Sequence, residues 1–196
     1  MKTAAVFFAD GFEEIEALTP VDYLRRADVK VVTVGVKGTL NGNSMIVTGA
    51  HKVPVIVDMT LDEFLKEIGS NLPDCIVCPG GMPGAKHLSE NKELLAFIEK
   101  CFDGGKLTAA ICASPALVFG KTKVLAGKKW TCYPGMEDEA DGKYIGGYSN
   151  QVFVTDGNVV TSRGPGASEQ FSMELVKILE GEDTAAAIKA ASQQRV

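Results

Sequence analysis

Five short apolar runs constrain this chain more than any other feature: Ala4 to Ala9, Val29 to Val36, Cys75 to Cys78, Leu107 to Ile111 and Val159 to Thr161. They are rich in Val, Ile and Ala and show little polar alternation. A strand that is apolar on both sides has to be covered on both sides, which is the situation of a buried parallel sheet. Between the runs lie amphipathic patterns. In Asn91 to Phe102 the residues Leu94, Leu95, Ile98 and Cys101 share one helical face, and Gly104 marks the stop. Ala17, Leu18, Val21 and Leu24 form a second stripe, and Phe171, Leu175, Ile178 and Leu179 a third. Strands alternating with helices predict an α/β fold, a mostly parallel sheet between two helical layers. Thr39 to Asp58 and Lys128 to Asp156 differ. Their β-branched residues are broken by Gly, Asn and Pro, as in hairpins or edge strands.

At 196 residues, 45% hydrophobic and 23% charged, the chain suits one substantial core, so a single domain over 1–196 is expected. The formal charge is −5 and no basic run is present, which argues against nucleic acid as a direct partner. The opening MKTAAVFFAD is followed at once by GFEEIE, acidic residues that a secretory signal or membrane span would not tolerate, so it reads as a buried first strand. Five cysteines, an odd number without a secretion signal, argue against a disulfide framework and for a reducing cytoplasm.

The sharpest local feature is LTAAICASPALVFG, Leu107 to Gly120, where a small-residue strand runs into Cys112 and then into a helix with Pro115 in its first turn. A cysteine there faces unpaired N–H groups that favour a thiolate, and the N–H of Ala113 is placed to hold an oxyanion. Cys112 could equally be a small buried hydrophobe, but the carboxyl end of a strand is where open α/β sheets bind ligands. A second such turn is PGGMPG, Pro79 to Gly84, whose glycines let backbone approach a ligand closely. A third is DGFEEIEALTP. Pro20 denies the carbonyl of Glu16 its helical partner, so the helix is expected to kink or restart there. Glu13, Glu14 and Glu16 fit a solvated acidic first turn, and spacing does not choose among them. Cys75 and Cys78 form a CxxC, but within a strand residues three apart point to opposite faces, so both read as core. His51 and His87, the two histidines, adjoin Cys112 nowhere in sequence.

Three segments, GFEEIEALTPVDYLRRA, VCPGGMPGAKHLSEN and AAICASPALVFG, together with TSRGPGAS, resemble the ThiJ/PfpI superfamily and especially its DJ-one, Parkinsonism-associated subfamily. The match runs in order through nearly the whole chain. The resemblance implies a flavodoxin-like three-layer α/β/α sandwich with a cysteine at a strand-to-helix elbow. It places the conserved cysteine on Cys112, the partner glutamate on Glu16, and the backbone oxyanion donors on Gly81 and Ala113, with Gly80 and Tyr133 as pocket candidates. It implies a homodimer, to which the first helix with Tyr23, Arg25 and Arg26 would contribute, and no metal or organic cofactor. The activity implied is a cysteine-dependent, cofactor-independent glyoxalase or deglycase acting on methylglyoxal-type 2-oxoaldehydes or their protein and nucleotide adducts, protective under carbonyl and oxidative stress. A redox sensor or redox-regulated chaperone built on an oxidisable Cys112 is the alternative. Two departures bear on a third reading, the cysteine peptidase or amidase: PfpI-type proteases resemble Cys followed by His, where this chain has Ala113, and many DJ-one members have a histidine where it has Tyr133.

Overall fold

The computed structural model describes residues 1–36 and 45–194. Each predicted apolar run becomes a strand: β1 Thr3–Phe8, β2 Lys30–Gly35, β6 Cys75–Cys78, β7 Leu107–Ile111 and β9 Val159–Ser162. The remaining strands are short, β3 Ile46–Thr48, β4 Pro54–Ile56, β5 Met59–Thr60 and β8 Phe153–Asp156. Seven strands form one sheet in the order β5-β2-β1-β6-β7-β9-β8, parallel throughout except for the antiparallel edge pair β8 and β9. The five long parallel strands thus follow the flavodoxin-like order 2-1-3-4-5. β3 and β4 pair as a separate antiparallel hairpin, part of the expected 39–58 hairpin region; its stretch 39–44 lies outside the described residues.

The alternation of β1 shows why three layers form. Ala5, Phe7 and Ala9 enter one core with α2 Leu61–Ile68, α3 Gly84–Glu90 and α4 Lys92–Asp103, where Phe7, Phe64 and Phe97 meet edge to face. Ala4, Val6 and Phe8 enter the other with α1 Glu14–Arg26, α6 Ser168–Glu180 and α7 Glu182–Ala191. α4 begins where predicted, with Asn91 accepting the Leu94 N–H at 2.9 Å, and stops at Gly104. Cys75 and Cys78 divide between the two cores, as residues three apart on a strand must.

Three local expectations change. α1 runs through Pro20 without restarting. Pro20 is buried, and packing outweighs the one lost hydrogen bond. The helix after Cys112 is only the single turn α5, Ser114–Leu117, followed by a three-ten turn that Thr122 closes by donating to the Phe119 carbonyl at 2.8 Å. Finally, within Lys128 to Asp156 only β8 is a strand. The rest is three-ten turns and one bridge, Trp130 to Tyr148, because buried Trp130 organises the segment by donating Nε1–H to the Tyr144 carbonyl at 2.9 Å and stacking edge-on with Tyr148 at 5.4 Å.

Candidate active site

β1, β6 and β7 are neighbours in the sheet, so the turns at their carboxyl ends meet. After β7, Cys112 takes φ +64°, a left-handed conformation that a residue with a Cβ adopts only when its surroundings impose it. Here they do: Cys112 N–H donates to the Ser162 carbonyl at 2.8 Å, and its own carbonyl accepts from Tyr133 N–H at 2.8 Å. The one-turn α5 is pinned by Ser114 Oγ, which donates to the Pro79 carbonyl at 2.6 Å and ties the elbow to the PGG turn.

The PGG turn presses against both other turns. Glu13 N–H donates to the Gly80 carbonyl at 3.0 Å. A Cβ on Gly80 would lie 2.6 Å from both Cys112 Cβ and Glu16 Oε2, so only glycine lets the turn pass between thiol and carboxyl. Gly81, at φ +87°, abuts the backbone of Gly11, Phe12 and Glu13.

Glu16 is fully buried, which overturns the solvated first turn for this residue. Its Oε2 accepts from Gly80 N–H at 2.9 Å, and Oε1 has no hydrogen-bond partner among the described protein groups. Burial pushes the carboxyl up to about 7; contact with the Cys112 thiol and the Gly80 N–H pulls the other way, and the Glu13 charge adds to the rise. The Cys112 thiol is raised too, first by burial, then by the charge and hydrogen bonding of Glu16, while the N–H groups of Gly81 and Ala113 work to lower it. Two anions in one buried site oppose each other, so the pair titrates as a unit that resists losing its last proton. With only one turn of helix behind it, the thiolate depends on these N–H groups and on a protonated Glu16 rather than on a long helix dipole.

The structure therefore brings together Cys112, Glu16, Gly80, Gly81 and Ala113. Tyr133 sits beside them through its backbone, with its ring half exposed. Neither histidine joins them by a hydrogen bond: His87 Nδ1 lies 3.0 Å from the Asp10 carbonyl, and His51 Nδ1 lies 2.9 Å from Glu14 Oε2 and 3.6 Å from Glu13. Glu14, nearly buried, also accepts the His51 N–H at 2.8 Å, so it clamps the loop after β3 instead of entering solvent. Burial alone would raise the Glu14 carboxyl, but hydrogen bonds from the His51 side chain and from the backbone of Glu14, His51 and Val53 outweigh it and lower it; His51 is raised in return by its bond to Glu14 and by the Glu13 charge. Glu13, Glu14 and His51 are the one group of three potential metal donors among the described residues, within 4.8 Å of one another. Their hydrogen bonds and charges account for the arrangement without an ion.

The chain's residues 2–178 match the model of the DJ-1/PfpI family. The chain belongs to the DJ-1/PfpI family. It is 40% identical over 176 residues to protein DJ-1 homolog B of Arabidopsis thaliana, covering 89% of this chain and 37% of that protein, so it spans little over a third of that relative's length. It is 30% identical over 175 residues to a Pyrococcus abyssi protein named a deglycase, covering 89% of this chain and 98% of that one. The structure of oxidised DJ-1 from Toxoplasma gondii superposes over the full length of both chains with a TM-score of 0.88 at 31% identity. The family thus carries a member named for deglycase activity, and the three-layer fold is shared.

Proposed function

We propose that the protein is a cysteine-dependent, cofactor-independent glyoxalase or deglycase acting on 2-oxoaldehydes of the methylglyoxal type or on their adducts. The observation that supports this most is the buried Cys112–Glu16 pair, one proton short of a double anion, with two backbone N–H groups turned on the sulfur. The thiolate adds to the aldehyde carbon of methylglyoxal, and the oxygen takes a proton to give a hemithioacetal. Glu16, as carboxylate, removes the C1 proton and returns it to C2, passing through an enediol whose charge the Gly81 and Ala113 N–H groups offset. The resulting lactoyl thioester is cleaved by water, releasing lactate and the thiol. The sum is methylglyoxal plus water giving lactate, with no electrons gained or lost. A carboxyl that ionises near 7 suits this base at neutral pH.

The test is methylglyoxal consumption and lactate formation by wild type and Cys112→Ala, without added thiol, over many equivalents. Multiple turnovers abolished in the variant are expected; stoichiometric trapping in the wild type overturns the enzyme reading. The redox-sensor or chaperone alternative draws on the same donors, since N–H groups that face a thiolate also suit sulfinate oxygens. No histidine is hydrogen-bonded at the elbow, so the peptidase reading loses its base.

A homodimer remains part of the proposal. Tyr23, Arg25 and Arg26 are engaged within the chain, by Glu169, Asp58 and Asp22, and so are weak candidates for the contact. Ile15 and Leu18 on α1 are exposed apolar side chains that a second copy would cover. No described helix is long and apolar enough to cross a membrane.

A further inference from the structure

Beside the elbow lies a cavity of about 510 Å³ lined by Tyr133, Pro134, Val152, Arg163, Gly164 and Gln170, among others, a size in the range of small-molecule sites. Two links join it to Cys112. Tyr133 donates its N–H to the Cys112 carbonyl, and Ser162, whose carbonyl accepts the Cys112 N–H, is followed directly by Arg163. The Tyr133 ring lies against Gly164, where a Cβ would stand 3.4 Å from it, an ordinary van der Waals contact.

Arg163 is half-buried in this wall. Of the three described arginines, Arg25 and Arg26 are each paired with an aspartate at 3.3 and 2.7 Å, while the Arg163 guanidinium makes no ion pair and donates no hydrogen bond among the described residues. The charges of Glu137 and Arg163 act in opposite directions on the Tyr148 phenol, and Glu137 itself accepts the Gly135 N–H at 2.8 Å. A half-buried guanidinium with five donors and no ion pair or hydrogen bond among the described residues, in a chain of net charge −5, is matched to an anion supplied from outside.

We infer that this cavity is an anion subsite, in which Arg163 receives a carboxylate or phosphate carried by the carbonyl substrate whose reactive carbon reaches Cys112. The inference rests on the glyoxalase or deglycase reading and narrows it to substrates with an anionic end, such as an adduct on an amino acid with a free carboxylate. Methylglyoxal alone would then be a truncated substrate that leaves Arg163 unused. Tyr133 and Gln170 line the same cavity and carry side-chain donors of the kind that an anion accepts from.

A matched pair of substrates tests it: the methylglyoxal hemithioacetals of N-acetylcysteine and of N-acetylcysteine amide, which differ only in the carboxylate. The wild type should prefer the acid by about tenfold in kcat/KM, the scale of one charge-assisted hydrogen bond in a half-exposed setting. Arg163→Gln should bring the ratio near one, Arg163→Lys should keep part of it, and rising salt should erode it. Calorimetric titration of the wild type and Arg163→Gln with inorganic phosphate and with N-acetylglycine reads the subsite without turnover and separates the two kinds of anion. Binding lost in Arg163→Gln while neither hemithioacetal is turned over leaves the subsite standing and removes the enzyme reading. Turnover of both with a ratio that Arg163→Gln does not change removes the subsite and leaves the enzyme.

Discussion

Cys75 and Cys78, inside one strand, and Cys112, just past the end of its neighbour, are the same residue type with opposite prospects. The CxxC lies inside β6, each residue fully buried in one of the two cores; burial first, and then the charge of neighbours such as Cys101, drives both thiols upward. Cys112 is just past the end of the next strand, partly open, with a carboxyl and two N–H groups aimed at its sulfur. The comparison teaches that reactivity here belongs to a position in the topology. One residue beyond a strand end, the backbone is free to turn its N–H groups on a side chain; inside the strand those groups are committed to the ladder.

The largest break in this comparison is Cys112→Ala, which should lower turnover by about 10³-fold or more, the scale of losing a nucleophile. Alkylation of the native protein should mark Cys112 alone among the thiols, and equally fast labelling of Cys75 or Cys78 would erase the contrast. Glu16→Gln comes next, with a loss of about 10²-fold and no inflection near pH 7 in the alkylation profile of Cys112. It also alters stability. The Glu16 carboxyl ionises near 4.5 when unfolded and near 7 when folded, so the wild type loses stability as pH rises between these values, by about 3 kcal/mol above pH 7, and carries no such penalty below 4.5. Urea denaturation should show Glu16→Gln gaining on the wild type by about that amount between pH 4.5 and pH 8; a gap independent of pH would contradict the buried carboxyl.

Gly80→Ala sharpens the comparison from the backbone side. Its methyl cannot fit between Cys112 and Glu16, so the turn must shift, costing about 1–3 kcal/mol and roughly tenfold or more in turnover as the pair is misplaced. The smallest effect is expected from Cys78→Ala, about 1–2 kcal/mol of stability from the lost packing and turnover per folded molecule within about twofold. A large catalytic loss with intact stability would mean that the core cysteine takes part in the chemistry after all.

The strands were legible because burial on both faces leaves no polar alternation to confuse them, and α4 was legible to its caps. Cys112 was legible as a strand-to-helix junction. Glu16 was not separable from Glu13 and Glu14 by spacing, because their difference is made by what packs on α1: the PGG turn covers Glu16, while the loop after β3 claims Glu14. The stretch from Lys128 to Asp156 misled because β-branched residues among glycines also suit irregular chain wrapped around a buried tryptophan. Arg163 inside TSRGPGAS carries no signal in the sequence, since an arginine in a loop shows which partners it has only when the surrounding side chains are in place.

The meeting of three turns has a consequence for how this protein can be assayed. Cys112, Gly80 and Glu16 follow three neighbouring parallel strands whose pairing sets Val6 beside Val77 and Val77 beside Ala109. A slip of two residues between β6 and β7 would keep every side chain on its proper face yet carry the elbow about 7 Å from the PGG turn. Spectra of secondary structure would barely notice such an error, whereas thiol reactivity would vanish. The Cys112 labelling rate is therefore a built-in gauge of sheet register, able to tell correctly threaded molecules from well-ordered misfolds during refolding or in destabilised variants.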